Sequence, residues 1–149
     1  MDRTRILIVD DHEIFRRGLR SLLESRNGFN ISGEAVNGLE AIEKAKELQP
    51  DVIVMDVSMP QMDGLQATRL IRSQHPTAKI LILSQHDSPQ MLSAAREAGA
   101  SAYVTKSQVA RCLFAALEAV VQGRPFSWNS TETSGGAPSK RSTPTEPKP

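Results

Sequence analysis

Five positions in this sequence could do chemistry together: the acidic pair Asp10-Asp11, a lone carboxylate at Asp56, a hydroxyl at Ser84 and an ammonium at Lys106. Each stands at or just past the end of a short apolar run. Asp56 is the plainest case, because it closes Val52-Ile53-Val54-Met55 and is followed by Val57-Ser58-Met59-Pro60. A continuous β-branched run reads as a strand buried on both faces of a parallel sheet. A carboxylate on such a strand needs a cation, a donor or water. Carboxylates brought together repel and raise one another's pKa. A divalent cation relieves this, and magnesium prefers hard oxygen ligands, often one or two carboxylates plus phosphate. Aspartate can also attack phosphorus to give an acyl phosphate, with catalysis by positioning and charge neutralisation. The expected chemistry is phosphoryl transfer to Asp56 beside a magnesium ion, with Lys106 neutralising phosphoryl oxygens and Ser84 donating a hydrogen bond to one of them.

The elements that must position these residues can be read from periodicity. Arg5 to Val9 is a first strand, stopped by Asp10-Asp11. Phe15, Leu19, Leu22 and Leu23 recur at helical spacing, with Arg16, Arg17, Arg20 and Glu24 on the other side. Asn30 to Val36 is a weaker strand interrupted by Gly33, which suggests an edge. A second helix buries Ala41, Ile42, Ala45 and Leu48 and stops at Pro50. After the Asp56 strand, Asp63-Gly64 opens a helix with Leu65, Thr68 and Ile71 on one face. Lys79 to Leu83 is a fourth strand, ending at Ser84, and Ser88-Pro89 starts a helix that Gly99 ends. Ala102-Tyr103-Val104 is a fifth strand, and Val109, Leu113, Ala116, Leu117 and Val120 line a last helix.

Strand then helix, five times over, with short connections, requires a parallel sheet with helices on both faces. The pattern fits an α/β doubly wound, flavodoxin-like sheet of order 2-1-3-4-5 with five helices, among other three-layer α/β sheets. In such a sheet the strand ends carrying Asp10, Asp11, Asp56, Ser84 and Lys106 meet at one edge.

With 149 residues, 39% hydrophobic and a net charge of +1, the chain suits one domain and lacks the basic excess of a nucleic-acid binder. No apolar run reaches the length of a membrane span. No small-residue cleavage site follows the first apolar run, as a signal peptide would require, and Cys112 has no partner for a disulfide. These features lead to a cytoplasmic expectation. Residues 129–149 are rich in Ser, Thr, Pro, Gly and Lys and are expected to be a disordered tail after a domain over residues 1–128.

Four pieces together carry a resemblance: Ile8-Val9-Asp10-Asp11-His12; Met55 to Pro60 with Asp63-Gly64; Ser84; and Ala102 to Lys106. The chain resembles the receiver domain of two-component response regulators, most of all those of the NarL/FixJ type, over residues 4 to about 123. The resemblance implies that Asp56 takes a phosphoryl group from the phosphohistidine of a sensor histidine kinase or histidine phosphotransfer protein, or from a small phosphodonor. It implies that Asp11 binds Mg2+ directly, Asp10 through water, and the Ser58 carbonyl as a further ligand, with Asp56 completing the set. Lys106 would contact the phosphoryl group, Ser84 would move toward it, and Tyr103 would swing inward behind it. That shift would remodel the face of the fourth helix, fifth strand and fifth helix, where a partner or a second copy docks.

Three departures stand out. Ser107 follows Lys106 where a proline after a cis bond is frequent, Gln85 follows Ser84 where a small residue is usual, and no helix-turn-helix follows the last helix, so DNA binding is not carried over. The chain is expected to be either a stand-alone receiver or a truncated version of a longer regulator. Taken singly, the residues have plainer readings. Asp11 could cap a helix, Asp56 could end a strand, Ser84 could begin a loop, Lys106 could be solvated and Tyr103 could simply pack. His12 reads as a helix-start residue, His86 as a loop histidine or an influence on acyl-phosphate lifetime, Cys112 as a small core or interface residue, and the Arg16-Arg17-Arg20 group as a solvated face or one that meets a kinase's acidic surface. Other functions compete: a pseudo-receiver acting as a binding module, an aspartyl phosphohydrolase, or a flavin carrier. The hydrolase would want an acid/base aspartate where Ser58 stands, and the flavin carrier a phosphate loop where Asp10-Asp11-His12 stands.

Overall fold

The computed structural model describes residues 3–124 and Phe126. Strands β1 (Thr4–Val9), β2 (Phe29–Ala35), β3 (Val52–Asp56), β4 (Ile80–Ser84) and β5 (Ala102–Thr105) alternate with helices α1 (Glu13–Glu24), α2 (Gly38–Leu48), α3 (Gly64–Gln74), α4 (Pro89–Ala98) and α5 (Val109–Gln122). A 3-10 turn, Lys106–Gln108, joins β5 to α5. Every pairing is parallel, as the alternation anticipates, and the sheet order is β2-β1-β3-β4-β5, the flavodoxin-like one of the three-layer sheets the pattern allowed.

The apolar runs are continuous because both faces of each central strand are covered. Ile6, Ile8, Val54, Leu81 and Val104 pack with Leu19, Leu23, Leu113 and Leu117 on the α1–α5 side. Leu7, Val9, Ile53, Met55, Ile82 and Tyr103 pack with Ala41, Ala45, Ala67, Ile71 and Ala95 on the α2–α3–α4 side. Phe126, past the end of α5, leans on the first of these clusters. The expected domain end at residue 128 and the tail 129–149 lie outside the described residues. Among the described residues no helix is long and apolar enough to cross a membrane, and no helix-turn-helix follows α5.

Two glycines set the geometry. Gly33 lies on the edge strand, where the register with β1 slips between Ile6 and Leu7, and a Cβ there would meet Leu48 Cδ1 at 2.6 Å. The interruption read from the sequence is therefore a bulge under α2 within an otherwise continuous strand. Gly64 opens α3 so close to β3 that a Cβ would lie 2.0 Å from the Asp56 carbonyl oxygen. Its N–H donates to the Val57 carbonyl at 2.8 Å. Asp63 caps the same helix, accepting from Gln66 N at 2.8 Å while Gln66 Oε1 accepts from Asp63 N at 3.1 Å. This reciprocal cap satisfies two otherwise orphaned donors and seats α3 directly behind Asp56.

Candidate functional site

The parallel sheet delivers the acidic residues to one edge. Asp10 directly follows β1 and is fully buried, and Asp56 ends β3 at 2% exposure. Lys106, at the start of the 3-10 turn, reaches across from the β5 side. Its Nζ lies 2.9 Å from Asp10 Oδ2 and 3.3 Å from Asp56 Oδ1. The ammonium also sits 4.4 Å from the centroid of the Phe15 ring, a cation–π contact. Asp10 Oδ1 accepts the His12 N–H at 2.8 Å. Ligand atoms of Asp10, Asp11, His12 and Asp56 all lie within 4.8 Å of one another.

Two oxygens of this cluster, Asp11 Oδ1 and Asp56 Oδ2, are buried and lack a hydrogen-bond partner. Asp11 Oδ1 lies 3.2 Å from His12 Nδ1, without the geometry of a hydrogen bond. Three carboxylates against one ammonium leave uncompensated negative charge, and burial makes that costly. Burial pushes the Asp56 carboxyl up, and the Asp10 charge adds to this. Lys106 opposes both, and the balance falls at about 6. Orphaned hard oxygens with excess negative charge suit a small dication such as magnesium. Asp11 does not cap α1: the residue before that helix is His12, whose side chain makes no capping bond.

Ser84 and Tyr103 form a second group beside the first, joined through the backbone of His86. The Ser84 hydroxyl accepts the His86 N–H at 3.1 Å, and the Tyr103 hydroxyl donates to the His86 carbonyl at 2.5 Å. Tyr103 is already inside the core, at 3% exposure, so packing and hydrogen bonding coexist in this side chain. Burial pushes its hydroxyl above the ordinary phenol range; Ser84 opposes this and Asp87 adds to it. Ser58 and Gln85 are exposed in the loops after β3 and β4. No peptide bond among the described residues is cis, so the Lys106–Ser107 bond is trans.

Residues 6–118 match the profile of the family described as response regulator receiver domain. The chain belongs to that family. The receiver is 41% identical over 119 residues to the transcriptional regulatory protein LnrK of Bacillus subtilis (strain 168), covering 80% of this chain and 54% of that protein. It thus spans about half the length of that curated relative. It is 41% identical over 102 residues to the chemotaxis protein CheY of Thermotoga maritima, covering 68% of this chain and 84% of that one. A crystal structure of a LuxR-family two-component response regulator from Aurantimonas sp. SI85-9A1 superposes with a TM-score of 0.80 at 43% identity, covering 83% and 89% of the two chains.

Sequence reading missed the residues that support the receiver's acidic edge. Arg16 does not belong to a solvated face. Its side chain is 15% exposed, Nε donates to Glu34 Oε1 at 2.7 Å and Nη1 donates to the Asp10 carbonyl at 2.8 Å. Arg20 pairs with the other Glu34 oxygen. Burial pushes the Glu34 carboxyl up, but the two guanidinium groups outweigh it and hold it below the usual range. An arginine among arginines carries no periodic signal that would single it out. Phe15, read as core, presents its ring to Lys106 as well, a contact that depends on how α1 is rotated above the sheet.

Proposed function

We propose that this receiver is a magnesium-dependent phosphoacceptor whose Asp56 is modified in signal transduction. The observation that carries the reading is the pair of unpartnered buried oxygens on Asp11 and Asp56, set beside the Lys106 ammonium. Asp11, Asp56, the Ser58 carbonyl and, through water, Asp10 would hold a magnesium ion. When bound, such an ion supplies charge neutralisation for the carboxylates and the incoming phosphoryl oxygens. Asp56 attacks phosphorus, the phosphorus–nitrogen bond of a phosphohistidine breaks, and the imidazole leaves with the bonding electron pair. The donor is a sensor histidine kinase, a histidine phosphotransfer protein or a small acyl phosphate, in which case the phosphorus–oxygen bond to the acyl group breaks and the carboxylate leaves with the electron pair.

Lys106 starts as the counter-ion of Asp10 and Asp56 and re-pairs with the phosphoryl group. Ser84 donates its hydroxyl hydrogen to a phosphoryl oxygen, and its movement toward that oxygen draws it from the His86 N–H it accepts, which loosens the loop that Tyr103 also holds. The change reaches the face of α4, β5 and α5, where a partner or a second copy docks in a phosphorylation-dependent way. The protein acts in the cytoplasm as a signalling acceptor that catalyses its own labelling, rather than as an enzyme with a separate substrate.

Intact mass after incubation with acetyl phosphate tests this. The native chain is expected to gain one phosphoryl adduct that requires magnesium, and Asp56→Ala none. An unlabelled native chain with its fold intact would replace this reading by that of a binding module, and an adduct on Asp56→Ala would move the acceptor elsewhere.

A further inference from the structure

The backbone of Asp10 is held on both sides of its Cα. The Asp10 N–H donates to the Ala35 carbonyl of β2 at 3.0 Å, and the Asp10 carbonyl accepts from Arg16 Nη1 at 2.8 Å. That carbonyl shares its rigid plane with the Asp11 nitrogen. A group that fixes the carbonyl therefore fixes the point from which the Asp11 side chain departs. Arg16 is itself fixed: its Nε is bonded to Glu34, whose other oxygen is taken by Arg20 and whose main-chain carbonyl accepts Lys44 Nζ at 2.5 Å. The chain of contacts runs from α2 and β2 through α1 to the acidic edge.

We propose that Arg16, braced by Glu34, is a positioning residue that orients the Asp10–Asp11 peptide so that both carboxylates converge on the cation. The inference rests on the magnesium reading above. Arg16 touches no carboxylate of the acidic cluster, so its effect is carried by the backbone alone. A planar fork is needed, because one side chain must reach a carbonyl and a carboxylate at once.

The sign of the effect separates positioning from charge. Removing a cation near an acidic pocket strengthens Mg2+ binding by electrostatics alone; removing a brace weakens it. Titration with MgCl2 at constant ionic strength, followed by backbone amide shifts in NMR, reads the affinity without any phosphodonor. Arg16→Ala is expected to weaken Mg2+ binding by about 10-fold, the lower end for residues that orient metal ligands. Arg17→Ala removes the same charge from the same helix. Arg17 is 78% exposed and pairs with Glu13, so its loss should leave the affinity unchanged. Arg16→Lys keeps the charge but not the fork, and should also weaken binding. Unchanged or tighter binding by Arg16→Ala, or an equal loss in Arg17→Ala, overturns the proposal. If Arg16→Ala does not fold, Arg16→Lys decides it: weaker binding supports the brace and native affinity overturns it. If the native chain itself gives no Mg2+-dependent shifts, the magnesium reading fails first and takes the brace with it.

Discussion

Asp56 is a carboxylate that the fold holds at a disadvantage. Its pKa is raised from 3.8 to about 6 by burial and by Asp10, against the pull of Lys106. In the absence of a divalent ion, the native state therefore binds more protons than the unfolded chain between about pH 4 and 6. Stability contributed at this residue falls as pH rises through that window, and the penalty is complete above it. Asp56→Asn removes the charge and keeps the shape. In EDTA at pH 7 it is expected to stabilise the protein by about 1–3 kcal/mol, the scale of a shift of one to two pKa units. At pH 4 the two proteins should converge. Urea unfolding at both values checks this, and an Asp56→Asn variant no more stable than the native chain at pH 7 would rule it out. Glu34 works in the opposite sense. Its pKa lies below 4.5, so the stability it adds is present above that value and is lost as pH falls further.

The junction between β3 and α3 shows how an element can be specified by one residue. With a Cβ at Gly64 only 2.0 Å from the Asp56 carbonyl oxygen, α3 could not start where it does. Gly64→Ala is expected to cost about 1–3 kcal/mol, as overpacking does, and to displace the backbone of Asp56. Gly18 lies inside α1 with nothing within 4 Å of the point where a Cβ would stand, so Gly18→Ala should stabilise by about 0.5–1 kcal/mol. Opposite signs in urea midpoints would separate the two roles; equal effects would show that helix propensity governs both. The strand–helix alternation, both faces of the sheet and the gathering of Asp10, Asp56 and Lys106 were legible in the sequence, because continuous β-branched runs and terminal carboxylates are local signals. The bulge at Gly33, the turn of Arg16 toward β2 and the seat of Lys106 on Phe15 were not. The bulge depends on the register of β2 against β1, and the other two on the rotation of α1 against the sheet, which 3.6-residue periodicity leaves free by tens of degrees.

At the scale of the whole molecule, a net charge of +1 conceals a strongly negative edge. Opposite charges elsewhere cancel it on paper, yet they do not screen a buried cluster. That edge joins β1, β3 and the end of β5, strands that share both hydrophobic clusters, so strain at the carboxylates is felt by the entire cooperative unit. A cation that binds only the folded state then stabilises all of it, by about 2.7 kcal/mol at a hundredfold excess over Kd. For a domain of this size that corresponds to a Tm increase on the order of 10 °C. Thermal melts in MgCl2 and in NaCl of equal ionic strength distinguish specific binding from screening. The native chain should melt higher in MgCl2, and Asp11→Ala should melt alike in both. A native chain indifferent to the choice of salt would mean that Lys106 alone suffices to balance the buried carboxylates, and the acidic edge would then have to be read as a fixed structural ion pair.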